Sequence, residues 1–69
     1  MDRFYITVSY GTFWVMDRNN NKKVVGYHKK EFAAKTANGL NKEMEENPEN
    51  INDVISSLKT ISGYGQFIN

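Results

Sequence analysis

The sequence predicts an α+β domain of the order β-β-β-α-α, a three-stranded antiparallel meander followed by two helices. Three observations carry this. As far as His28 the chain reads as short strands, with period-two alternation in the first, separated by Gly11 and a polar Asn-rich loop. From about Lys30 the apolar spacing changes to threes and fours, as on one face of a helix. Asn47-Pro48 then interrupts the helical stretch, and a second apolar stripe follows it.

The first strand is Arg3–Tyr10, where Phe4, Ile6, Val8 and Tyr10 alternate with Tyr5, Thr7 and Ser9. These are mostly β-branched and aromatic residues, which suit a pleated, half-buried surface. Gly11 marks a turn, because glycine takes a positive φ without steric cost. Thr12–Asp17 is the second strand, and its Phe13-Trp14-Val15-Met16 run is apolar on both faces. Asp17–Lys22 is a polar loop whose asparagines tolerate the left-handed conformation a hairpin needs. Lys23–His28 is the third strand, and the short loops make neighbouring strands antiparallel.

The first helix is expected over Lys30–Glu46, with Ala33, Ala37, Leu40 and Met44 as its stripe. Its alanines let it sit close to the sheet, while Gly39 weakens it by about 1 kcal/mol relative to alanine. The second helix is expected over 50–61, with Asn50 as N-cap and Asp53 in the first turn. Its stripe, Ile51, Val54, Ile55, Leu58 and Ile61, is the clearest amphipathic pattern in the chain. Gly63 is the expected stop, and 63–69 a tail that packs down, adds a short strand or stays loose.

Composition limits the function. With 69 residues the chain reads as a single domain, 1–69, near the lower size limit for a self-sufficient core. One Trp, four Tyr and four Phe at a net charge of +1 separate it from disordered chains. It has no cysteine for a disulfide or a thiolate metal site. No apolar run approaches the ~20 residues of a membrane span, and Met1-Asp2-Arg3-Phe4 does not open a signal peptide, so a cytoplasmic location in a host cell is expected. His28 stands alone beside Lys29 and Lys30, which repel cations; Glu43, Glu45, Glu46 and Glu49 read as a solvated acidic face. Ser56 and Ser57 have no base specified nearby, and Gly63-Tyr64-Gly65 lacks the third glycine of a nucleotide-binding turn. No catalysis, cofactor or metal is expected.

Two features point to binding. Charge is uneven along the chain: residues 1–30 carry six Lys and Arg against two Asp, a net +4, and residues 31–69 carry three Lys against six acids, a net −3. The sheet also has a face to spare. Phe13 and Val15 lie on one side of the second strand and Trp14 and Met16 on the other, with Val24 opposed to Val25 and Tyr27. The first helix covers one side. The second side is left to the helix at 50–61, to a second copy of the chain, or to another macromolecule. The candidate binding residues are the basic and amide side chains around the hairpin tip, Arg18, Asn20, Lys22 and Lys23, and the sheet aromatics Tyr5, Trp14 and Tyr27.

The stretch Phe13-Trp14-Val15-Met16-Asp17, the polar turn, Val24-Val25-Gly26-Tyr27-His28, Glu31-Phe32-Ala33-Ala34 and Leu40-Asn41 resembles small hairpin-then-helix proteins of phages, prophages and plasmids, over about residues 4–42. Integrase arm-type DNA-binding domains have a related arrangement, with a Gly-x-Phe lead into the helix where this chain has His28-Lys29-Lys30-Glu31-Phe32. The phage-type resemblance implies a non-enzymatic protein that binds and modulates or inhibits a host protein, such as a defence nuclease, through its sheet face and basic hairpin. A net charge of +1 argues against DNA mimicry. The alternative is a nucleic-acid-binding module using the basic and aromatic sheet. A homodimer sealed through the open face is the third expectation.

Overall fold

The computed structural model describes residues 2–62, and side chains as far as Lys59. Its elements are β1 (Phe4–Ser9), β2 (Thr12–Asp17), β3 (Lys22–Tyr27), α1 (Lys30–Glu46), a 3-10 turn (Pro48–Asn50) and α2 (Ile51–Ser62). The strands form one antiparallel sheet in the order β1-β2-β3. This is the expected β-β-β-α-α architecture. The expected tail and the Gly63 stop lie outside the described residues, as does the Ile61 side chain.

The turns end the strands. Ser9 pairs with Thr12, which leaves Tyr10 and Gly11 as a two-residue turn with φ of 52° and 77°. Two positive φ values match the twist of the flanking strands. They also take Tyr10 out of β1, where period-two reading placed it. In the second turn Asn21 adopts φ 56°, its N–H donates to the Asp17 carbonyl at 2.7 Å, and Lys22 N–H donates to Asn20 Oδ1 at 3.0 Å. That bond set starts β3 at Lys22, one residue earlier than the sequence pattern indicates.

Both helices lie on the same side of the sheet. Ala33, Ala37 and Leu40 of α1 are buried against Phe4, Val15, Val25 and Tyr27, and Ile51 and Ile55 of α2 join the same cluster. Met44, Val54 and Leu58 are packed at its margin. The second helix therefore completes the core beside the first, and among the described residues no element covers the far face of the sheet. Asn50 does not cap α2 as an extended residue. It closes the 3-10 turn, donating to the Asn47 carbonyl at 3.0 Å, and the chain runs on into α2 through Ile51 at φ −61°, ψ −39°.

β3 contains a β-bulge. Val15 pairs with Val25 and Met16 with Lys23, so Val24 has no partner of its own on β2. The extra residue turns Val24 to the same side as Val25, and both are buried. Strict alternation had placed Val24 on the opposite face from Val25.

One side chain ties the sheet edge to α1. The Arg18 N–H donates to the Arg3 carbonyl at 2.8 Å, so the next residue, Phe4, turns its own N–H and C=O outward from β2. Asn41 meets both: its Oδ1 accepts from Phe4 N at 2.9 Å and its Nδ2 donates to Phe4 O at 3.0 Å. Replacing Asn41 with alanine should therefore strand two backbone groups at the edge of a buried residue. The expected loss is about 1–3 kcal/mol, read as a lower urea midpoint at an unchanged slope. A midpoint equal to wild type would show that water replaces the clamp without cost.

Candidate functional site: the open sheet face

Register assigns the uncovered face residue by residue. Tyr5, Thr7 and Ser9 from β1 stand beside Met16, Trp14 and Thr12 from β2, and β3 supplies Lys23 and Gly26. None of these side chains is a carboxylate. Tyr5, Trp14 and Met16 are half-buried, with no helix of the described residues over them. What covers them is partly their own cations. The Arg18 guanidinium carbon lies 4.4 Å from the centre of the Tyr5 ring, and Lys23 Nζ lies 4.4 Å from that of Trp14. Such contacts contribute about 0.5–1 kcal/mol each at exposed sites. Arg18 is held in place by donating from Nε to the Asp2 carbonyl at 2.9 Å. Among the described residues, neither Arg18 nor Lys23 has a carboxylate at ion-pair distance.

Lys23 reaches Trp14 because of the bulge. In an unbroken ladder Lys23 would face Asp17 on the covered side, and Val24 would occupy the open face. Gly26 completes the arrangement. It is buried beneath the indole, and a Cβ there would come within 2.7 Å of Trp14 Cε3 and Cζ3 and 2.9 Å of Thr12 Cγ2. The glycine gives Trp14 a flat floor to lie on, and the indole in turn covers the strand glycine.

The seven sequence-derived candidates do not form one surface. Tyr5, Trp14, Arg18 and Lys23 meet on the open face. Asn20 and Lys22 line a cleft around the corner, between the hairpin and α2. Tyr27 is the correction. It pairs with Phe13 on the helix side, is 7% exposed, and its hydroxyl shares a 2.6 Å hydrogen bond with Thr36 Oγ1. Two consecutive elements bury it, so it cannot stack on a ligand at the open face. Sequence reasoning also missed Gly26 and Tyr10. Tyr10 is fully exposed at the β1–β2 tip and held in the left-handed region, where a bulky residue is uncommon. A Tyr-Gly pair where Asn-Gly is the favoured turn was the available signal.

Arg3 and Asp17 pair on the covered side of the sheet, at the cleft between the hairpin and α2. The guanidinium donates from Nε to Oδ1 and from Nη2 to Oδ2, both at 2.9 Å, and Asn19 N–H adds a third bond to Oδ1 at 3.0 Å. Arg3 also reaches Met44 Sδ at 3.4 Å, linking β1 to the end of α1. The Arg3 hydrogen bonds hold the Asp17 carboxyl below the usual carboxylate range, against the opposing effect of its burial. The same pairing raises Arg3.

Among the described residues, no three His, Asp or Glu side chains gather as a metal site, and no helix is long and apolar enough to cross a membrane. No family model, curated protein or solved structure matches the chain.

Two outcomes follow from this geometry. Gly26→Ala should push the indole off its floor, red-shifting Trp14 emission and lowering stability by about 1–3 kcal/mol. An unchanged spectrum would mean the indole has room to slide. For Asp17, a depressed pKa means that its contribution is fully present above the unfolded value of about 3.9 and is lost as pH falls through the folded value. The urea midpoint should thus fall below about pH 4 in wild type and fall less in Asp17→Asn, which starts lower at pH 7. Parallel pH profiles would show that the pair does not couple to folding.

Proposed function

We propose that this chain is a non-enzymatic binding module that takes a single-stranded nucleic acid on its open sheet face. The observation that carries the reading is the pair of aromatics, Tyr5 and Trp14, each under a cation with no carboxylate partner among the described residues. Bases stack on aromatic rings at about 1–3 kcal/mol per base, and cations displaced from the rings find phosphates. Tyr5 pairs with Met16 and Thr7 with Trp14, which makes the two aromatics diagonal neighbours. Diagonal positions are ~7–8 Å apart, a spacing that two successive unstacked bases can follow.

Size favours this partner over a protein. Three strands at ~4.8 Å spacing and six residues at ~3.4 Å rise give a face of roughly 300 Å². A stable protein interface takes about 800 Å² from each partner. A phage-type inhibitor that grips a host protein is the second reading. Its support is the Trp, Tyr, Met and Arg content of the face, the composition of interface hot spots. That reading needs the hairpin tips as well as the sheet.

The test is Trp14 emission during titration with a short oligothymidylate over a salt series. Quenching is expected at low salt. Engagement of two phosphates gives a slope of log K against log[salt] of about −1.4, and Lys23→Gln should flatten it by about 0.7. Tyr5→Ala should weaken binding about 5- to 150-fold. Emission indifferent to millimolar oligonucleotide at low salt would overturn the reading and pass the face to the protein-docking alternative.

A further inference from the structure

Around the corner from the open face is a cleft of about 300 Å³ between the β2–β3 hairpin and α2. Its lining is strongly cationic. Lys22 and Lys23 come from the hairpin, Lys59 from α2, and Arg3 from the start of β1. The single carboxylate in the lining is Asp17, and Arg3 already grips both of its oxygens at 2.9 Å. That fork cancels one cation against the carboxylate; Lys23 lays its ammonium over Trp14 on the other side of the sheet, which leaves Lys22 and Lys59 to the cleft. Asn20 adds a neutral donor. Its Oδ1 is committed to Lys22 N–H at 3.0 Å, which leaves its amide NH2 to donate. Asn52, exposed on α2, stands on the opposite wall. The floor is Val24 and Ile55, both buried and apolar, so charge at the mouth is screened less than on an open surface.

Two lysines line this cleft from elements far apart in sequence. Their mutual repulsion is a cost that an anion would relieve. The donors are lysine ammonium and amide groups, with no aromatic wall and no second carboxylate to receive a cation or a sugar. The small volume suits a compact, highly charged group. We propose that this cleft is a phosphate-binding site, holding a phosphate group between Lys22 and Lys59 with the Asn20 amide as a neutral donor.

The inference stands apart from the reading of the open face: Lys23 borders the cleft, but its ammonium lies over Trp14 on the open face. The phosphate has two sources by chemistry: a free phosphate or diphosphate, or the end of a strand that lies on the open face.

The experiment titrates the full chain with inorganic phosphate and with pyrophosphate at constant ionic strength, following backbone amide shifts by NMR. Saturable shifts are expected at Asn20, Lys22, Asn52 and Ser56. Loss of one charge-assisted contact in Lys22→Gln or Lys59→Gln should weaken binding about tenfold or more. Lys42→Gln, an exposed change on α1, should leave it unaltered. The amide spectra of the variants report directly that each is folded. Non-saturating shifts, or equal weakening by Lys42→Gln, would overturn the site. A second arm compares 5′-phosphorylated with 5′-hydroxyl oligothymidylate. A preference for the phosphorylated strand assigns the site to a strand end, and equal binding with saturable free phosphate assigns it to a small anion; both uphold the cleft. Quenching of Trp14 with no saturable phosphate shift would sink the cleft alone. Saturable phosphate binding with no quenching would sink the open-face reading alone.

Discussion

The extra residue at Val24 sets where charge and apolar surface go in this small fold. Without the bulge, period-two alternation would put Val24 on the uncovered side and aim Lys23 at the core side. The bulge sends Val24 and Val25 together under the helices, where both are almost fully buried. It releases Lys23 to Trp14 on one side and leaves Lys22 at the mouth of the cleft on the other. Bulges bend strands and re-aim side chains. One inserted residue thus supplies core volume and gives both binding surfaces their lysines.

The second constraint is size. A chain of this length has a small core, near the lower limit for a self-sufficient domain. The helices are both needed on one side. α1 brings mostly alanines and can lie close, so the bulk comes from Phe4, Leu40, Ile51 and Ile55. Among the described residues, the residual face is covered by long cationic side chains laid over aromatics. Such lids keep apolar surface from water in the free protein, and a flexible lysine or arginine exchanges at little cost when a ligand arrives. Acidic residues sit mainly on the helices, away from this face, so the uneven charge along the sequence becomes an uneven charge across the layers.

The sequence made the element order legible because each element carried its own period and its own punctuation. The stripes Ala33-Ala37-Leu40 and Ile51-Ile55 are the helix faces that are buried, and Asn47-Pro48 is the break between them. The trouble came where a local irregularity overrode the period. Val24 and Val25 side by side read as one residue per face, and no residue type marks a bulge of this kind. Tyr27 read as an accessible aromatic because pattern alone does not say which face two helices will share. The Asn41 clamp and the Arg3–Asp17 fork join residues 37 and 14 positions apart, and no spacing rule reaches across such distances. Of the candidate site, the residue types were legible and their grouping was not.

That grouping gives the open face its chemical character. Trp14 alone on a sheet would be a hydrophobic spot. Trp14 on Gly26, with Lys23 above it and Tyr5 under Arg18 one diagonal away, is a row of flat rings alternating with positive charge. A polymer whose units pair a flat base with a negative phosphate matches that alternation. A generic apolar partner would bury the rings but would also have to desolvate two cations, each of which would then lie unpaired in the interface at a cost of several kcal/mol. The same ammonium and guanidinium groups that shield the rings in the free protein therefore select against uncharged partners and favour an anionic one.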